Sequence, residues 1–299
     1  MAVAYELMAV GAAACWALGS LSSAPASSHL GAVAFSRWRM LFASALLGAL
    51  AWWQGGWQRL PVDGLWLLAV SGLVGIFLGD SALFGCMNRL GPRRSGVLFA
   101  CHALFSALLA WAWLGETFVG QALVGGGLLV AGVMMAIVWG KRRDEVHVWE
   151  QVKGPLWVGV ALGLLAALCQ AVATLMVKPL MATGAVDPVA ASAVRMVTAL
   201  AAHSALWLSG WRAARCAQPM TWPMLGRTAF NAALAMGLGM TLILTALQGG
   251  KAGLVAVLSS VTPVLVLPLL WLVYRRQPAP GAWAGAALTV LGGAVILLR

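Results

Sequence analysis

The sequence predicts an all-α polytopic membrane protein with ten transmembrane helices arranged as a 5+5 inverted repeat. Three observations carry that expectation: an apolar composition with little charge, recurrent apolar runs of membrane-crossing length, and self-similarity between the two halves of the chain.

Composition comes first. Hydrophobic residues make up 62% of the 299 positions and charged residues 9%. Soluble domains carry about 25% charged residues, so this chain lacks the charge to cover a water-facing surface. A helix crossing the ~30 Å hydrocarbon core needs about 20 predominantly apolar residues. Such runs occur at 6–24, 31–53, 65–87, 95–114, 118–139, 155–177, 189–209, 222–245, 253–274 and 280–298. Barrel strands would alternate polar and apolar over ~10 residues, and these runs do not. Trp52, Trp53, Trp57, Trp66, Trp139, Trp157, Trp207, Trp211, Trp222 and Trp283 fall at or near run ends, the depth an amphipathic ring prefers.

The formal charge of +11 is not a nucleic-acid face, because Lys and Arg occur as short clusters between runs, such as Lys141-Arg142-Arg143 and Arg93-Arg94. In membrane proteins such clusters set orientation. With the N-terminus outside, the inner loops hold Arg89, Arg93, Arg94, Lys141, Arg142, Arg143, Lys153, Arg212, Arg215, Arg227, Arg275 and Arg276. The opposite side holds Arg59, Lys178, Lys251 and Arg299. This asymmetry predicts both termini outside an inner (plasma) membrane. The five cysteines form no CxxC pair and read as small hydrophobes; no metal site or disulfide framework follows. Ala24-Pro25-Ala26 resembles a signal-peptide cleavage site. The run before it lacks Lys and Arg and carries Glu6, so we read it as the first helix.

The repeat organises the chain. A shift of 160 residues sets Val97 on Val257, Trp111 on Trp271, Gly125 on Gly285 and Gly132 on Gly292. A shift of 156 sets Arg39-Met40 on Arg195-Met196 and Ala43 on Ala199. Five is odd, so the second half enters the membrane upside down. Inverted repeats of this kind carry substrate near the midplane at the repeat interface and suit alternating access. The halves are 1–139 and 155–299, joined by a basic linker at 140–154.

Leu114-Gly115-Glu116, after an apolar run and before a Gly-rich one, resembles the end of the fourth helix in EamA-type members of the drug/metabolite transporter superfamily. Cys15-Trp16 and Ala167-Leu168-Cys169-Gln170 resemble that family's first-helix signature, with Gln170 where a Trp is often seen. Thr262-Pro263-Val264 resembles its Pro-Val element, whereas the first half has His102-Ala103. Arg39 and Arg195 fall where the family's second helix often carries Arg. The resemblance implies a secondary transporter of the bacterial amino-acid exporter branch, aromatic (YddG-like) exporters included. A drug or organic-cation exporter of the same superfamily is the alternative within it.

Ionisable groups inside a bilayer are costly and functional by default. Asp80, the acidic residue deep in a run, is a candidate for a substrate ammonium or a transported proton, or for a structural pair with Arg39 or Arg89. Arg39 and Arg195 are candidates for a substrate carboxylate, although each lies near its helix start, where a long stem can snorkel. His102 can hydrogen-bond substrate or an adjacent helix. Trp16, Trp111 and Trp271 are mid-run, as candidate cavity walls or core packing. Pro263 and Pro268 should bend the ninth helix and are candidate gating residues. Gly75/Gly79, Gly159/Gly163 and Gly281/Gly285 suit close helix packing.

H-E-x-x-H, G-x-S-x-G and Walker A patterns are absent, and Asp80 has no second embedded Asp to form a dyad. An enzyme is therefore excluded, and no cofactor is implied. A channel or non-transporting sensor is the rival from another class. Expected partners are a small-molecule substrate and the lipid bilayer, with no nucleic acid, function as a monomer, and proton coupling open through Asp80.

Overall fold

The computed structural model describes residues 2–116, 120–139, 154–274 and 279–297. The expected linker, apart from Gly154, lies outside the described residues. So do Lys141, Arg142, Arg143, Lys153, Arg275, Arg276 and Arg299 of the orientation count, and the side chains of Arg93 and Pro263.

Among the described residues the secondary structure is helical, without strands. The elements are α1 (Ala2–Leu30), α2 (Ala32–Trp53), α3 (Val62–Leu90), α4 (Pro92–Ala100), α5 (His102–Leu114) and α6 (Gln121–Val138). They continue with α7 (Leu156–Ala182), α8 (Pro188–Leu208), α9 (Trp222–Gly249), α10 (Ala252–Ser259), α11 (Thr262–Tyr274) and α12 (Pro280–Leu297). Seven described stretches, with α4 and α5 taken together, are long and apolar enough to cross a membrane. The outward surface is apolar: Leu41, Leu108, Leu123, Leu165, Leu238 and Leu272 are exposed, as lipid contact requires. Helices suit that setting because their backbone hydrogen bonds close within the segment.

Helix ends follow local chemistry. Gly31 (φ 87°) and Gly91 (φ 84°) make the one-residue reversals between α1 and α2 and between α3 and α4. Such a backbone favours residues without a Cβ. Pro92 and Pro188 open α4 and α8, where the missing N–H costs nothing. Asp187 caps α8, its carboxylate accepting from the amides of Val189 (3.0 Å) and Ala190 (2.9 Å). The Ala24-Pro25-Ala26 stretch lies inside α1, with Ala26 fully buried.

Packing relies on small residues. The core is rich in fully buried alanines, Ala9, Ala12, Ala13, Ala43, Ala166 and Ala167 among them, which let helix backbones approach. The closest-knit pairs are α6 with α12, α2 with α8, α3 with α7 and α1 with α9. Gly159 faces Leu90, Gly163 faces Leu98 and Cys86, and Gly79 faces Cys169.

Two irregularities recur. α3 contains a π-helical segment, Leu73–Leu78, and α9 contains another, Ala232–Gly239. The helix after each is split, at Cys101 between α4 and α5 and at Ser260–Val261 between α10 and α11. The sequence led us to expect Pro263 to bend a continuous ninth helix. Instead the break precedes it, and Pro263 falls in the first turn of α11. Proline has no N–H to offer the carbonyl four residues back, which belongs to Ser259. The Thr262 hydroxyl donates to that carbonyl at 3.0 Å. Pro268 lies inside α11.

A Cβ on Gly163 would sit 2.6 Å from that of Leu98 and 3.1 Å from the Cys86 sulfur. Gly163→Val should therefore cost about 1–3 kcal/mol, read as a lower midpoint of thermal unfolding in detergent. Gly96→Ala, with nothing within 4 Å of its added methyl, should leave the midpoint level or slightly raised.

Candidate functional site

The polar centre of the bundle is built on the π-helical segments. A π turn widens the helix and disturbs the regular hydrogen-bond ladder, and such segments occur frequently at functional sites. Asn231 immediately precedes the α9 segment, and Asp80 follows the α3 segment by two residues. Arg39 of α2 reaches both. Its Nη2 pairs with an Asp80 carboxylate oxygen, and its Nη1 donates to the Asn231 amide oxygen at 3.3 Å. The Asn231 amide nitrogen donates on to the Gly19 carbonyl of α1 at 2.8 Å. Phe84 and Phe35 face the guanidinium at 4.6 and 5.4 Å from their ring centroids, as cation–π partners. The Arg39 side chain is 4% exposed and that of Asp80 14%. The pair is thus desolvated, in the regime where losing one partner is expensive. Of the roles the sequence offers Asp80, the structure displays the pairing with Arg39.

Arg195 of α8 lies in a different setting. It is 1% exposed, its Nη1 donates only to the Met240 sulfur at 3.5 Å, and its Nε and Nη2 have no hydrogen-bond partner among the described residues. Gly72 and Gly75 make room for it. A Cβ on Gly72 would meet the Arg195 backbone, and one on Gly75 would sit 3.3 Å from Nη2. Snorkelling to an interface describes neither arginine.

The other candidates are dispersed. The Trp16 indole donates to the Ala235 carbonyl at 3.0 Å, inside the α9 π segment, and Gly239 leaves it space. His102 is buried at the start of α5, its ring 5.1 Å from that of Phe99. Trp111 is exposed, and Trp271 is also exposed, edge-on to Trp283 at 6.0 Å. The structure therefore brings Arg39 and Asp80 together, with Arg195 nearby, and leaves Trp111 and Trp271 apart from them.

Several residues escape a motif reading. Asn231 is an amide within an apolar run, a signal that was there to use. Ser36 and Ser192 lie one turn before Arg39 and Arg195, and both hydroxyls are buried and without a hydrogen-bond partner among the described residues. They pair under the same 156-residue shift as the arginines. Glu116, known from the Leu-Gly-Glu pattern, accepts from the amides of Ala252 (2.8 Å) and Gly253 (3.1 Å), capping α10. Lys178 donates to the carbonyls of Leu247 (2.9 Å) and Gly250 (2.7 Å), closing the end of α9. Each charge faces the helix terminus of opposite polarity.

An all-helical bundle with a lipid-suited surface and a charged centre is the architecture of a multi-pass membrane transporter. The sequence matches the EamA-like transporter family over residues 3–138 and 157–298, and the chain belongs to that family. It is accordingly a transporter rather than an enzyme. Among solved structures, a protein known by its crystal structure superposes with a TM-score of 0.77 at 18% identity, covering 98% of this chain and 96% of its own. That likeness concerns the fold. A search of curated proteins finds no match.

Asp80→Asn leaves Arg39 without its counter-ion and should destabilise by about 3–5 kcal/mol, measured as a lower thermal midpoint. Arg39→Met combined with Asp80→Leu should recover most of that loss. Glu116→Ala removes an end cap and should cost about 0.5–2 kcal/mol on the same measurement.

Proposed function

We propose that the chain is a ten-span secondary transporter that exports amino acids or similar small metabolites, aromatic amino acids included, across a bacterial inner membrane. The observation that carries this reading is the charged centre, where Arg39, Asp80, Asn231 and Arg195 gather from α2, α3, α9 and α8. Polar groups at that depth mark substrate paths. Halves at 1–139 and 155–299 form the 5+5 inverted repeat of this proposal.

Several features support the repeat. The π segments occupy corresponding positions in α3 and α9, and split helices follow both. α1 packs against α9, α10 and α11, while α7 packs against α3, α4 and α5, a reciprocal exchange between halves. The breaks at Cys101 and Ser260 line one small crevice together. Two such breaks, facing each other, are suited to alternate as hinges when one side of the bundle opens and the other closes. On this reading both termini lie outside, and the helix ends and connections bearing Arg89, Arg94, Arg212, Arg215 and Arg227 face the cytoplasm.

The test is purified protein in liposomes, with exchange of labelled amino acids measured with and without a pH gradient. Amino-acid exchange above protein-free liposomes is the expected result; movement of labelled organic cations alone would favour the drug-exporter reading. A gradient response that is intact in Asp80→Asn would remove Asp80 from coupling.

A further inference from the structure

We infer that Arg195 is an anion site with unfilled hydrogen-bonding capacity that receives the carboxylate of the transported molecule, and that the thioether of Met240, standing where the other half has Asp80, leaves that capacity unfilled. The inference rests on the transport reading above and assigns the substrate its chemical class.

The argument begins with the comparison of the two arginines. Each packs against both π-bearing helices, Arg39 at Asp80 and Asn231, Arg195 at Met240 and the Gly72–Gly75 stretch. The 160-residue shift that aligns the halves sets Met240 on Asp80 and Ser71 on Asn231. Arg39 thus keeps a carboxylate and an amide, whereas Arg195 faces a thioether and glycines. The Ser71 hydroxyl is engaged elsewhere, donating to the Leu68 carbonyl at 2.8 Å. Asp80 pairs directly with Arg39 and acts on Arg195 only through space, so the two arginines and one carboxylate carry one net positive charge, and Arg195 has no directly paired carboxylate among the described residues.

That state is costly. A thioether sulfur is a weak acceptor, and a buried charge without a partner is strongly unfavourable. The unmatched atoms are also informative. Nε–H and one Nη2–H of a guanidinium point the same way, forming the fork that accepts both oxygens of one carboxylate. These are the two nitrogens without partners. The Ser192 hydroxyl, one helical turn away and likewise buried and without a hydrogen-bond partner among the described residues, adds a donor on the same side of α8. Gly75 brings no side chain of its own against Nη2, where Ala173 of α7 is the neighbouring side chain. An organic cation would meet repulsion here, so the site discriminates by charge as well as by shape.

The experiment uses full-length protein in liposomes, with a labelled amino-acid mixture and a labelled mixture of the corresponding amino-acid amides as probes. Amino acids should exchange at least about tenfold faster than amides, as loss of a charge-assisted pair implies. Arg195→Met should abolish the difference by losing amino-acid exchange, while its thermal midpoint stays at or above that of the parent. Met240→Asp supplies the missing counter-ion; it should raise the midpoint by roughly 5 °C without any probe and block exchange. Equal exchange of amides and amino acids would overturn the carboxylate site and leave the transport reading standing. If neither probe moves, the amino-acid reading fails. The Met240→Asp midpoint then decides the inference alone, a rise upholding the unfilled anion site and a fall overturning it.

Discussion

The buried ion pair between Arg39 and Asp80 is the interaction on which the rest of the arrangement depends. It holds α2 against α3 in the largely buried interior, and through Asn231 and the Gly19 carbonyl it extends to α9 and α1. Four helices thereby share one polar network inside an alanine-lined core. In such a setting every donor left unpaired is expensive, so the network fixes how these helices register against one another. Apolar packing alone would leave that register loose, since lipid tails compete equally well for apolar side chains.

The irregular backbone complements this network. Regular α-helices satisfy all their interior backbone groups, which makes them good walls and poor binding surfaces. The π segments of α3 and α9 relax that rule where the charged residues gather. The Trp16 indole takes up the Ala235 carbonyl there, showing how a side chain from a third helix uses the altered backbone. The splits at Cys101 and Ser260–Val261 do the same at the next helix of each set, and Thr262 covers the carbonyl that Pro263 cannot serve.

Much of the fold was legible in the sequence, because run length and charge depletion act locally and need no knowledge of partners. Arg39 and Asp80 were legible as candidates for the same reason: a charge in an apolar run is conspicuous. Their pairing was one of several options, since residues forty positions apart reveal nothing of their distance. Asn231 could have been found as an isolated amide. The isolation of Arg195 could not, because it depends on what Met240 and Gly72 are not, and a motif search scores matches. The π segments left no legible trace among ordinary apolar residues. Trp111 and Trp271 show how little such a match carries: it reports a common position, and both side chains are exposed rather than buried with the charged residues.

The turn at Gly249–Lys251 has a mechanical consequence. Lys178 grips the carbonyl end of α9 while Glu116 grips the amide end of α10. Both ends of that turn are therefore anchored to α7 and to the tail of α5. The other end of α10 meets the non-helical Ser260–Val261 step, where the regular helix hydrogen bonding is interrupted. The short α10 is thus held at the end that Glu116 caps, and the joint to α11 at Ser260–Val261 has no such hold in these four bonds. Strengthening the grip would stiffen one face of the protein without touching its charged interior.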